Sequence, residues 1–195
     1  MKTGQSKSAT PALLGMFAAI VVVLQLLSYT VKIGNFSLSL VLIPIVLSGI
    51  MFGSGFGAII GGVFGLVTFI ASAAGMDQGG NILFAASPWL TAIICLVKGS
   101  AAGTAAGLFK PLSEKKPTAA VILAAIAVPV VNTGLFILGM SAFFGDILTE
   151  WAGGAPIVSY IIVGLTGINF LIELVINMIM SPVIMRLIPS IKRLF

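Results

Sequence analysis

Residues 36–76, FSLSLVLIPIVLSGIMFGSGFGAIIGGVFGLVTFIASAAGM, contain no charged side chain. Read as one long helix plus a loop, this stretch gives a chain of five membrane spans; read as two helices, it gives six. At its centre stands Phe52-Gly53-Ser54-Gly55-Phe56-Gly57, with the glycine density of a tight turn. Apolar runs of about 17–25 residues are the length that crosses the hydrocarbon core as helix. On that rule spans fall near 11–31, 36–53, 56–76, 83–109, 118–143 and 157–188. Charge decides the count. With six spans, Lys2, Lys7, Lys110, Lys115, Lys116, Arg186, Lys192 and Arg193 share one side, and Asp77, Asp146 and Glu150 share the other. Lys32 is the one basic exception. The positive-inside bias then places both termini in the cytoplasm. Five spans would break this agreement. The expectation is an all-α integral membrane protein, a six-transmembrane-helix bundle in which residues 1–195 form a single transmembrane domain.

Composition points the same way. The chain is 59% hydrophobic and 8% charged, with a mean hydropathy of +1.22, whereas soluble domains are about 45–50% apolar and about a quarter charged. The net charge of +5 reads as membrane topology, not as a nucleic-acid surface, because the basic residues flank apolar runs. The first apolar run is long enough to span and lacks a small-residue cleavage site, so it reads as a span and not as a removable signal. Cys95 is the single cysteine and allows no internal disulfide. Histidine is absent, which removes Ser–His and Cys–His dyads and nearly all zinc and haem chemistry. There is no Gly-x-Ser-x-Gly elbow, so an intramembrane enzyme is disfavoured. No Gly-x-x-x-x-Gly-Lys-Ser/Thr loop occurs; the chain holds no cofactor of its own in this reading, and any use of ATP falls to partners.

Helices in lipid associate where small residues let backbones approach. Gly53, Gly57, Gly61 and Gly65 recur every four residues on one face, and Gly99, Gly103 and Gly107 do so on another; both faces read as internal packing. Gly15 and Ala19 form a weaker small-residue pair on the first span, open either to packing or to docking of a second membrane subunit.

Lys98 and Glu173 lie deep inside apolar segments, where ionisable groups face a bundle interior, a partner or a ligand. Lys98 follows Leu83 by 15 residues and Glu173 follows Ile157 by 16, so at 1.5 Å per residue both sit roughly 22–24 Å along their spans. They read either as a structural ion pair or as the floor of a solute cavity. Asn169 follows Ile157 by 12 residues and Asn132 precedes Phe143 by 11, which puts both roughly 16–18 Å from the outer helix ends. Asn169, Glu173 and Asn177 share one helix face. Pro129, three residues before Asn132, disturbs the preceding turn and frees hydrogen-bonding groups. Nearer the outside, Asn81, Ser87, Trp89 and Thr91 mark the mouth of the fourth span, and Gln25 and Tyr29 that of the first. Ser87-Pro88-Trp89 reads as a helix start with serine capping. Trp89 suits either a ligand cover or an interfacial anchor, as does the loop 144–156 carrying Trp151. The candidate solute contacts are Asn132, Asn169, Trp89, Asn81, Lys98 and Glu173.

Several stretches together resemble a known family: Gly15 to Ala19; Leu42-Ile43-Pro44-Ile45 through Phe52-Gly53-Ser54-Gly55-Phe56-Gly57 to Gly61-Gly62-Val63-Phe64-Gly65; Val131-Asn132-Thr133-Gly134-Leu135-Phe136; and Asn169, Glu173, Asn177. Their order is similar to that in the substrate-binding S components of energy-coupling factor (ECF) vitamin transporters, which belong to the ABC transporters. The resemblance implies a six-helix bundle in the bacterial cell membrane that captures a water-soluble vitamin at the outer face and topples to release it. It also implies a transmembrane coupling subunit docked on the first spans, at Gly15 and Ala19 where the family has an alanine pair, and two ATPase subunits that use the ATP. The Pro88-Trp89 region and Asn132-Thr133-Gly134 look closest to pantothenate-type members, with folate or another vitamin next. A self-contained ion-coupled secondary transporter using Lys98 and Glu173 is the alternative, though the chain is short for that class and shows no clear repeat.

Overall fold

A computed structural model describes residues 9–30, 32–33, 36–37, 41–165 and 167–192. The chain is an all-α membrane bundle. Its elements are α1 (Ala9–Ser28), a hairpin of β1 (Lys32–Ile33) and β2 (Phe36–Ser37), α2 (Leu42–Phe52), α3 (Ser54–Ala73), α4 (Gln78–Ala86) and α5 (Pro88–Leu108). There follow α6 (Lys110–Lys115), α7 (Pro117–Phe143), α8 (Gly145–Ala152), α9 (Ile157–Ser159), a π-helical stretch Tyr160–Leu165, and α10 (Gly167–Lys192). The two-residue strands pair antiparallel, Lys32 with Ser37 and Ile33 with Phe36, and lie against α4. Among the described residues, five segments are long and apolar enough to cross a bilayer: Pro11–Ser28, Ser54–Ala73, Pro88–Lys115, Pro117–Phe143 and Phe170–Ile191; the bent pair Gly145–Ala152 and Ile157–Gly164, taken as one span, makes six.

The expected span 36–53 differs from the rest. Its helix, α2, has 11 residues, about 16 Å, which is half of a hydrocarbon core about 30 Å thick. Leu42, Pro44, Ile45, Val46, Leu47, Ser48, Gly49, Ile50 and Met51 are all buried. A helix apolar on every side needs protein on every side, and α2 obtains it by standing in the middle of α1, α3, α5, α7 and α10. Gly53 ends it with φ +96°, a left-handed geometry that glycine adopts without a Cβ penalty, and α3 starts at the next residue. The turn expected at residues 52–57 is therefore a single glycine. Lys110 donates from Nζ to the Phe52 carbonyl at 3.4 Å. This places the α2–α3 junction and the lysine-rich α6 at one end of the bundle, the basic end, and puts a cation at the negative pole of α2.

α3 and α5 run antiparallel with their backbones in contact. A Cβ on Gly57 would strike the carbonyl of Gly103, one on Gly61 the carbonyl of Gly99, and one on Gly65 the carbonyl of Cys95. Gly49 and Gly107 extend the seam, Gly49 against Ala106 and Gly107 against Gly53 and Ser54. The two glycine faces are thus one interface. Around it lies the apolar core: Leu13, Phe17 and Val21 of α1, most of α2, Phe56, Ile60 and Phe64, Ala102 and Ala106, Val121, Ala124 and Val128, and Ile184. A smaller cluster, Leu83, Ile94, Met140 and Phe144, closes the opposite, acidic end.

Three further boundaries depart from the sequence expectation. The fourth span does not start at residue 83: Ser87 is extended (φ −159°, ψ 101°) and separates α4 from α5, because the Pro88 ring excludes the helical conformation just before it. The Ser87 side chain makes no cap bond; instead Thr91 donates from Oγ1 to the Ser87 carbonyl at 2.9 Å. The connection 76–82 carries the start of α4, capped by Asp77, whose carboxylate accepts from Gly80 N at 3.0 Å. The connection 144–156 holds α8, which ends at Gly153 (φ +56°) and Gly154 (φ +89°) and meets the following helix at 85°. Pro129 lies inside a continuous α7.

Candidate functional site

On three helices the inward face changes from apolar to polar one turn beyond the core. Gln25 follows the core residue Val21 by four positions, Asn132 follows Val128 by four, and Lys98 precedes Ala102 by four. Residues four apart share a helix face, so each of the three side chains continues an inward face that is apolar one turn away; together they are the polar tier. Because α5 begins at Pro88 and not at residue 83, Lys98 lies ten residues from its outer end, about 15 Å. Asn132 lies 11 residues from the end of α7, about 16 Å. Counted from the observed helix ends, the two depths along their own helices are similar. On α10, which starts at Gly167, Glu173 comes six residues in, about 9 Å.

Lys98 is half-buried, with its ammonium 5.6 Å from the ring centroid of Phe64 on α3 and 5.2 Å from that of Phe136 on α7. Both are within cation–π range. Asn132 is 4% exposed and its Oδ1 has no hydrogen-bond partner. Glu173 is 6% exposed. One turn further along α10, Asn177 donates from Nδ2 to the Glu173 carbonyl at 2.8 Å while its own Oδ1 is unpartnered, and Ser181 donates to the Asn177 carbonyl at 3.0 Å. A buried acceptor without a donor costs about 1–3 kcal/mol. Unpartnered acceptors on α7 and α10, with a half-buried cation on α5, suit an anion that also carries hydroxyl or amide N–H groups.

The remaining expected contacts have other surroundings. Asn81 donates from Nδ2 to the Ser72 carbonyl at 2.9 Å and so ties α4 to the end of α3. Trp89 is 82% exposed on the first turn of α5. The side chain of Asn169, like residues 34 and 35 of the first loop, lies outside the described residues. Gly15 and Ala19 are exposed on α1, and a Cβ at Gly15 would meet nothing within 4 Å. Phe64 and Phe136 escaped the sequence reading, although Phe136 stands one turn after Asn132 on the same face.

At the acidic end, Gln25 donates from Nε2 to the Tyr29 hydroxyl at 2.8 Å. Burial pushes the Tyr29 phenol above its ordinary value, and the bond from Gln25 only partly opposes this. A shallow cleft of about 280 Å³ opens nearby between the α4–α5 and α7–α8 junctions, lined by Ser87, Leu90, Phe143 and Asp146 among others.

The family model described as ECF transporter, substrate-specific component, matches residues 11–185, which includes every side chain of the tier. No curated protein matches the chain. A half-buried cation and unpartnered acceptors are groups that can hold a polar solute. The match covers nearly the whole chain, and the protein belongs to the substrate-specific components of ECF transporters, membrane transport subunits that take a small-molecule substrate and associate with membrane coupling and ATPase modules.

Proposed function

We propose that this chain captures a small water-soluble vitamin anion, pantothenate first and folate or another vitamin next, at the outer face of a bacterial cell membrane. It passes the vitamin inward with a transmembrane coupling subunit and two ATPase subunits that hydrolyse the ATP. The observation that supports this reading is the Lys98 ammonium beside two aromatic faces, together with the buried, unpartnered Oδ1 of Asn132. Pantothenate has a carboxylate for the lysine and two hydroxyls and an amide N–H for the acceptors. Glu173, buried on α10, and Asn169, four residues before it in the sequence, are further proposed contacts. The acidic end is the outer face in this reading and both termini are cytoplasmic, in keeping with the positive-inside bias.

The test is a titration of the purified, detergent-solubilised chain with a panel of B vitamins, followed by tryptophan fluorescence and calorimetry. Saturable binding of one vitamin by the lone chain is the expected result, with pantothenate the tightest. Absence of binding by protein shown to be folded would reject the capture role. In the same assay Asn132→Leu is expected to weaken binding about tenfold, the value of a buried hydrogen bond, without loss of expression; unchanged affinity would remove Asn132 from the site.

The exposed small-residue face of α1 supports docking there. Gly15→Leu is expected to leave vitamin binding unchanged and to abolish uptake by the assembled transporter, because a bulky side chain fills the groove in which a partner helix would lie. Normal uptake by that variant would move the docking face elsewhere.

A further inference from the structure

Gln25 donates from Nε2 to the Tyr29 hydroxyl at 2.8 Å. That bond occupies the amide nitrogen and leaves Oε1 as the free end of the side chain. The oxygen is buried with no partner, on a residue only 3% exposed. A buried acceptor without a donor is costly, so a group that brings a donor to it is held there. The helix register places Gln25 one turn beyond the core residue Val21, as Asn132 lies one turn beyond Val128.

We propose that Gln25 is a recognition residue of the solute site, its Oε1 accepting a hydroxyl or amide N–H from the bound solute, with Tyr29 as a positioning residue through its bond to Nε2. The proposal rests on the reading that these polar side chains bind a small solute, and it adds a requirement. Two buried amide oxygens, Gln25 on α1 and Asn132 on α7, each lack a donor, while the Lys98 ammonium on α5 calls for an anion. A solute with a carboxylate and at least two donors meets all three; an anion without donors, such as nicotinate, leaves both oxygens open.

The experiment compares wild type, Gln25→Leu, Tyr29→Phe and Asn132→Leu as purified full chains, titrated with pantothenate, nicotinate and the remaining B vitamins. Thermal unfolding without vitamin is recorded for each. The expected pattern is vitamin binding by wild type with nicotinate excluded, and an affinity about tenfold lower in Gln25→Leu. Its unfolding midpoint should be unchanged or raised, because the variant removes an unsatisfied buried oxygen. Tyr29→Phe should lose part of the affinity, since the glutamine is then free to turn. Gln25→Leu binding like wild type, while Asn132→Leu is weakened, would overturn the role of Gln25 and leave the capture function standing. A folded wild type that binds no vitamin would reject the capture function itself and the assignment with it. Should Gln25→Leu fail to fold, Gln25→Met and Tyr29→Phe decide by the same readouts.

Discussion

Lys98→Met is expected to lower vitamin affinity about a hundredfold while leaving the bundle folded. Methionine keeps the length and the apolar stem of lysine, and its thioether packs well against aromatic rings, here Phe64 and Phe136. Only the charge is removed. A hydrogen bond to a charged group is worth about 1.5–3 kcal/mol, and the low-dielectric surroundings of the tier favour the upper part of that range. Removing the lysine also leaves the vitamin carboxylate desolvated without a counter-charge. Titration of the variant beside wild type, with thermal unfolding as the control for folding, measures the effect directly. Affinity within threefold of wild type would show that the ammonium serves only packing against the two rings. Lys98→Arg should bind weakly too: the charge survives, but the larger planar head does not fit between rings placed for an ammonium.

Gly103→Val has the largest expected effect on the fold. A Cβ on Gly103 would collide with the carbonyl of Gly57 and approach its carbonyl carbon at 2.5 Å. The obstacle is backbone, which cannot rotate aside as a side chain can. Overpacking ordinarily costs about 1–3 kcal/mol; here relief requires α3 and α5 to part along the whole seam from Gly49 to Cys95. The expected outcome is loss of monodisperse protein on size exclusion, or a much lower unfolding midpoint in whatever is recovered. Gly15→Ala is the matched control, since nothing lies within 4 Å of its added methyl, and it should fold as wild type does. A well-behaved Gly103→Val protein would mean that the α3–α5 interface is far more plastic than its backbone contact implies.

Much of the architecture was legible because membrane physics constrains it so tightly. Apolar length and the segregation of basic from acidic residues establish an all-α bundle, and a four-residue glycine spacing marks α3 and α5 as helices meant to touch. Lys98, Glu173 and Asn132 stood out because polar groups in hydrocarbon require a reason. The half-length α2 was not legible: an apolar run reads alike whether it meets lipid or other helices, and only the packing of five neighbours distinguishes the two. The level of Lys98 was misjudged for a related reason. Local hydropathy is continuous through Ser87 and Pro88, so the break between α4 and α5 does not show in it, and depth counted along an unbroken helix came out too great.

What the sequence alone determined about this protein is therefore its class, the positions of its strongest helix contacts and the identity of its few buried polar groups, all properties carried by residue type and period. What only the tertiary structure decided is which of those groups meet. Asn81 ties α4 to α3, Trp89 is exposed on the first turn of α5, and Lys98 lies near rings from two other helices. Gln25, an ordinary polar residue near a helix end, gives its Nε2 to Tyr29 and leaves its Oε1 buried without a partner. Hydrogen-bond partners and ring faces come from different helices, and their distances depend on how the backbones cross. That crossing is set by glycine contacts between segments some forty residues apart, so no local reading of either segment contains it.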